Sequence, residues 1–190
     1  DGYASDITRT FPVNGRFSGE QRAIYQLVLA AQRAAIDQVR PGRRFNEPHD
    51  AAVRVLTEGL VALGLLHGEV DELIKTEQHK GFYMHRTGHW LGMDVHDVGD
   101  YKTGDDWRVF EPGMVTTIEP GLYIPANSKR MEESWARLGV QLETDVDERW
   151  WRIGIRIEDD VLVTADEPEV LTEAAPKEID DIEAWMREGG

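Results

Sequence analysis

Residues 114–124 read MVTTIEPGLYI, and this stretch sets the fold class. Val115 to Ile118 are all β-branched, stiff at χ1 and suited to a pleated strand rather than a helix. Pro120-Gly121 then stops the strand, because proline lacks a ladder N–H and glycine accepts turn geometry. The stop falls on an acid, Glu119. A second β-rich run, GIRIEDDVLVT at 154–164, also carries an acid in its middle, Glu158. Strands are expected over Met114–Glu119, Leu122–Ile124 and Ile153–Thr164.

Upstream the texture is helical. Ser18 and Gln21 have capping-box spacing, which lets each satisfy an orphaned backbone N–H. Ile24, Leu27, Val28, Ala31, Ala35 and Val39 follow at helical spacing, and Pro41-Gly42 ends the helix. A second helix is expected from about Pro48 to Leu63, with Val53, Leu56, Leu60 and Leu63 inward and Gly64 as its stop. A short third covers Glu69–Gln78. The opening residues alternate and carry an Asn14-Gly15 turn signal, so they read as strand, turn and loop. Downstream, Lys129–Trp151 is charged and rich in tryptophan, and reads as a surface insert or as the rim of a site or interface. Pro176 opens a final helix whose packing face is Ile179, Ile182, Trp185 and Met186. Helices followed by strands predict an α+β domain, with helices backing a curved, mostly antiparallel sheet.

Composition narrows the function. The chain has 190 residues, 21 Lys+Arg, 36 Asp+Glu and a formal net charge of −15. That excess of acid opposes a nucleic-acid binder, which needs clustered bases, and opposes docking on an anionic membrane. No apolar run is long enough to span a bilayer. No basic-then-apolar leader is visible, and a cytoplasmic setting is expected. Cysteine is absent, so disulfides, thiolate nucleophiles and thiolate metal sites are excluded. The charge is uneven: residues 1–131 carry 18 acids and 15 bases, and residues 132–190 carry 18 acids and 6 bases. The second half reads as a solvated acidic face. The chain begins at Asp1 rather than Met, so its first residue is read as lying inside a longer polypeptide.

Three of the six histidines, His85, His89 and His96, cluster in HRTGHWLGMDVHDVG at 85–99. Gly88 and Gly92 disfavour a helix there, so a loop with hydrogen-bonded histidines is one reading. The adjacent His96-Asp97 pair also fits the HD-type phosphohydrolases, but those are nearly all helical. An acid inside an Ile/Val strand is costly to bury unless paired or metal-bound. Glu158 therefore reads as a salt bridge to an arginine or as a ligand, and Arg156 shares its strand face. Asp159 and Asp160 read as outward or turn acids. Asp6 alternates with Ile7. Together Asp6, His89, Glu119 and Glu158 form an oxygen-rich set with one imidazole, suited to Mn²⁺, Co²⁺ or Zn²⁺. Carboxylates can bridge, which allows two ions. The residues alone reach as far as a carboxylate-rich metallohydrolase.

YASDITRTFPVNGRF at 3–17, HRTGHWLGMDVHDVG at 85–99, EPGMVTTIEPGLYI at 111–124 and GIRIEDDVLVT at 154–164 resemble, in order, the signature segments of the Xaa-Pro aminopeptidases (aminopeptidase P). These are pita-bread metallopeptidases of the M24 type, related to prolidase, creatinase and methionine aminopeptidase. The resemblance runs from residue 1 to about residue 187. It implies a pita-bread fold and one catalytic domain over 1–190. It also implies two divalent ions, most often Mn²⁺, with a bridging hydroxide as nucleophile. By motif, Asp6, His89, Glu119 and Glu158 are the metal ligands. A further ligand aspartate precedes Asp6 in the family, in an apolar strand ending in Asp-Ala-Gly. Only five residues precede Asp6 here, so Asp1 has the right chemistry at the wrong spacing, and the family's N-terminal domain is not represented either.

The resemblance also implies hydrolysis of the bond between an N-terminal residue and a following proline. Glu119 would act as ligand and general base or acid. His96 would stabilise the oxyanion, and His85 would line the pocket. Arg156 would orient the ligating carboxylates, with Tyr123 assisting in substrate binding. The expected partner is a peptide with proline second, and the expected state is a homo-dimer or tetramer. Prolidase, which prefers dipeptides, is the nearest alternative. A non-catalytic pita-bread binding module is the alternative of a different class.

Overall fold

The computed structural model describes residues 2–142 and 145–188. Among these, five helices, α1 (Gly19–Ile36), α2 (Glu47–Ala62), α3 (Val70–Lys75), α4 (Ser128–Leu138) and α5 (Ile179–Glu188), accompany seven short strands. The strands are β1 (Lys102–Thr103), β2 (Asp106–Trp107), β3 (Val115–Ile118), β4 (Gly121–Tyr123), β5 (Gly154–Arg156), β6 (Asp159–Leu162) and β7 (Glu169–Val170). All named pairings are antiparallel: β1 with β2, β3 with β6, β6 with β7, and β4 with β5. The α+β expectation therefore holds.

The capping box at α1 forms: Gln21 N–H donates to Ser18 Oγ at 3.2 Å, and Ser18 N–H donates to Gln21 Oε1 at 2.9 Å. Ile24, Val28, Ala31 and Ala35 are fully buried on one face of α1. Burying each of the larger aliphatics stabilises the fold by about 1.5–3 kcal/mol. A Cβ placed on Gly59 of α2 would sit 2.2 Å from Leu27 Cδ1, so glycine lets the two helices approach. α1 also lies against β3, β4 and β5, which makes the helices a layer behind the strands.

Helix α3 is shorter than its sequence pattern. Glu77 adopts a left-handed conformation, φ 55°, and the chain continues as a 3-10 turn over Gln78–Gly81. Helix α1 ends at Ile36 rather than at Pro41, although Val39 remains buried. The opening segment is extended but forms no named strand, and it meets the sheet through a bridge from Thr8 to Glu158.

Three further expectations are corrected. Lys129–Trp151 is not a surface insert: it contains α4, whose Met131 and Trp135 are buried, and Trp135 Nε1 donates to Gly81 O at 2.9 Å. Val140, Val146 and Trp150 are buried as well. Trp185 does not pack with Ile179 and Ile182, and is 66% exposed. Asp159 and Asp160 do not face outward. Both are buried, and Asp159 accepts from Arg9 at 2.6 Å, Lys177 at 2.7 Å, Gln32 at 2.9 Å and Thr172 at 2.7 Å. The cost of burying that carboxylate is offset by charged and neutral donors from four other parts of the chain. None of the described helices is long and apolar enough to cross a membrane.

Candidate metal centre

The strand register builds the site. Ile118 pairs with Asp159, and Gly121 pairs with Arg156. One antiparallel register thus runs through both pairings, with Glu119 opposite Glu158 and Pro120 opposite Ile157 in the gap. Pro120 has no N–H to give, so that pair keeps a single bond, from Ile157 N–H to Pro120 O at 3.4 Å, and the ladder is weakened there. Two like charges directly across a pair of strands are destabilising. Both are buried: Glu119 is 9% exposed and Glu158 2%. Burial first, then the nearby charges of Glu119 and Asp6, push Glu158 up to about 7 against the pull of its hydrogen bond from Thr8 and the charge of Arg156. An arrangement this unfavourable for bare carboxylates calls for a cation.

Segment 6–10 supplies the third carboxylate by running beside β5 and β6. Glu158 N–H donates to Thr8 O at 3.1 Å, Thr8 Oγ1 donates to Glu158 Oε2 at 2.5 Å, and Arg156 N–H donates to Thr10 Oγ1 at 3.1 Å. Asp6 is set at the end of this segment, its own N–H donating to Asp160 at 3.2 Å.

Segment 87–91 lies along β3 and brings in the imidazole. Leu91 N–H donates to Val115 O at 3.2 Å, Thr117 N–H to His89 O at 3.0 Å, and Glu119 N–H to Thr87 O at 2.7 Å. Gly88 permits this approach: a Cβ there would sit 2.0 Å from Thr117 O. His89 Nδ1 lies 3.0 Å from Trp90 O. A carbonyl only accepts, so Nδ1 carries a proton there, and Nε2 is the ring nitrogen turned inward. His89 Nε2 lies 3.5 Å from Asp6 Oδ2 and 3.6 Å from Glu119 Oε1. Carboxylate oxygens and an imidazole nitrogen converging on a common space are the donor set of a cation site.

Two groups of donors result. His89, Glu119 and Glu158 offer ligand atoms within 4.8 Å of one another, and Asp6, His89 and His96 do likewise. The structure thus brings together all four residues singled out as ligands and adds the exposed His96, whose ring centroid is 4.3 Å from that of His89. Asp1 lies outside the described residues.

Beside the carboxylates sits a hydrogen-bonded chain. Arg156 Nη1 lies 3.2 Å from Glu119 Oε2, and Arg156 Nε donates to Tyr123 OH at 2.9 Å. Tyr123 OH is 2.8 Å from His85 Nε2, whose Nδ1 is 2.7 Å from Arg86 O. His85 must donate to that carbonyl, so its Nε2 accepts from Tyr123. Burial keeps the His85 imidazolium disfavoured and raises the Tyr123 phenol. Arg156 therefore holds one oxygen of Glu119 and leaves the other toward His89. Thr8 and Thr87 were not visible as site residues in the sequence; the one available signal was Thr8 on the same strand face as Asp6.

The sequence profile of metallopeptidase family M24 matches residues 1–165. The chain is 50% identical over 184 residues to an Xaa-Pro aminopeptidase of Haemophilus influenzae, covering 97% of this chain and 39% of that protein. Among solved structures, the Pseudomonas aeruginosa aminopeptidase PepP superposes with a TM-score of 0.88 at 57% identity, over 98% of this chain and 39% of that one. Zn-substituted Escherichia coli aminopeptidase P in complex with product matches with a TM-score of 0.86 at 46% identity, over 100% of this chain and 39% of that one. The pita-bread fold expected from the motifs is thus the fold of these relatives. The chain spans about two fifths of their length.

Proposed function

This chain belongs to metallopeptidase family M24, and on that premise we propose that it forms most of the catalytic domain of a metal-dependent Xaa-Pro aminopeptidase. The observation that carries this reading is the buried, directly opposed pair Glu119 and Glu158 with His89 Nε2 turned toward Glu119 at 3.6 Å. Asp6, His89, Glu119 and Glu158 would hold two divalent cations, with Mn²⁺ as the first choice. When bound, the cations supply a water that ionises at neutral pH.

The chain's own residues do the rest. Glu119 takes the proton of the attacking water and delivers it to the departing proline nitrogen. Its 3.2 Å contact with Arg156 supports this role, because one oxygen is anchored while the other stays available. His96, exposed beside His89, donates to the scissile carbonyl oxygen as negative charge develops there. His85 and Tyr123 form a wall for the proline ring, held rigid by their mutual bond and by Arg156. Proline offers no N–H, so recognition rests on such a wall and on the free amino terminus of the peptide.

The intact protein, assayed with Mn²⁺, is expected to release the first residue from an Xaa-Pro-Xaa tripeptide in preference to splitting an Xaa-Pro dipeptide. Cleavage confined to the dipeptide would make the protein a prolidase. Absence of both activities, with less than one tightly held divalent ion per chain, would make it a binding module.

A further inference from the structure

The ladder that sets His89 against Glu119 ends at Thr87, whose carbonyl holds the Glu119 amide at 2.7 Å. The Thr87 side chain is buried and held from two sides. Its Oγ1 lies 2.8 Å from His49 Nδ1 and 2.5 Å from Tyr83 OH. The direction of these bonds follows from counting partners. Tyr83 is almost wholly buried, and Thr87 is the one hydrogen-bond partner of its hydroxyl among the described residues. A buried O–H left without an acceptor is costly, so Tyr83 donates to Thr87. Thr87 has one proton and must then donate to His49, whose Nδ1 is the acceptor and whose proton sits on Nε2. Burial, reinforced by the nearby cation Arg86, keeps His49 neutral by pushing it down to about 3. The network is therefore a one-way chain from Tyr83 through Thr87 to His49. It anchors Thr87 to the first turn of α2. Its other end is tied to the site too: the Tyr83 ring packs edge-on against His85 at 5.0 Å and 81°.

We propose that His49 is a positioning residue for the metal centre, acting as the hydrogen-bond acceptor that locks Thr87 and so fixes the separation of His89 and Glu119. This rests on the reading of Asp6, His89, Glu119 and Glu158 as ligands. His49 lies on a helix far from those residues in sequence and carries none of the signature motifs.

The test uses the intact protein and Mn²⁺ alone as the metal probe. Nitrogen NMR of the His49 ring is expected to show Nδ1 bare and Nε2 protonated; the opposite tautomer would overturn the proposal. His49→Leu and the isosteric Thr87→Val are expected to speed amide exchange at Glu119. They should weaken Mn²⁺ binding about tenfold or more, and lower kcat while KM stays within about twofold. His49→Asn places an amide oxygen where Nδ1 was, and Thr87→Ser keeps the hydroxyl; both should recover most of the loss. If His49→Leu leaves Glu119 exchange and Mn²⁺ affinity as in the parent, or if His49→Asn is as impaired as His49→Leu, the proposal fails. A parent protein that binds no Mn²⁺ would defeat the ligand reading instead. The NMR and exchange results would then still decide whether His49 holds the ladder.

Discussion

Glu119 and Glu158 face each other across a single antiparallel register, nearly out of water, at the point where Pro120 interrupts the ladder between β3–β4 and β5–β6. Without a cation this is an electrostatic fault. With one it is a ligand pair, and the behaviour of the metal-free protein should expose the difference.

The first expectation concerns pH. The Glu158 carboxyl, raised from 4.5 to about 7 chiefly by burial, favours the folded chain below its unfolded value. That contribution is lost as pH climbs through the folded value. The metal-free protein should therefore lose stability between about pH 4.5 and about pH 7, by something on the order of 3 kcal/mol at most. Adding Mn²⁺ should remove or reverse the slope, because the cation favours the carboxylate. Thermal melts across this range, with chelator and with metal, would show it; identical slopes would speak against metal at Glu158.

On the proposed mechanism, Glu119→Gln preserves shape but removes the proton carrier and weakens a ligand. Turnover should fall by about a hundredfold or more. Near-normal turnover at saturating metal would refute the role assigned to Glu119.

Thr8 donates to Glu158 Oε2 at 2.5 Å. A hydrogen bond to a charged group contributes about 1.5–3 kcal/mol. Thr8→Val should cost that much stability in urea unfolding of the Mn²⁺-loaded protein, and Thr8→Ser should recover most of it. Equal stabilities for the two variants would mean that the hydroxyl contributes nothing.

Asp159 offers a contrast. It is buried with Arg9 and Lys177 and belongs to neither donor group of the metal centre. Removing one member of a buried ionic group costs about 3–5 kcal/mol. Asp159→Asn should therefore lower the melting temperature markedly while the folded fraction keeps its Mn²⁺ stoichiometry. Loss of metal from fully folded protein would contradict the separation drawn between Asp159 and Glu158.

Much of this was legible along the chain. The capping box at Ser18, the amphipathic spacing of α1 and α2 and the β-branched run before Glu119 are local signals, because helix and strand preferences are set by neighbours within a few residues. The motifs carrying Asp6, His89, Glu119 and Glu158 could likewise be picked out, and the family resemblance supplied their meaning. The failures were of a different kind. Asp159 and Asp160 look like surface acids next to Glu158, yet Arg9, Thr172 and Lys177 arrive from distant segments to pair Asp159, and Asp160 takes the Asp6 amide. Trp185 sits at the right helical spacing to pack, yet the fold leaves it largely exposed. Trp135 looked like part of an insert, yet its indole N–H meets the backbone carbonyl of Gly81.

Local sequence thus settled where α1, α2 and β3 lie and which acids stand in or beside the β-rich runs. Long-range pairing settled that Glu119 stands opposite Glu158, that Thr8 reaches Glu158 across 150 residues, and that His49 on α2 holds Thr87 in the segment beside β3. The physical reason is that a side chain's cost or value depends on what surrounds it. Burial, register and hydrogen-bond direction are properties of the packed chain, and the same glutamate is a solvated surface acid or a metal ligand according to them.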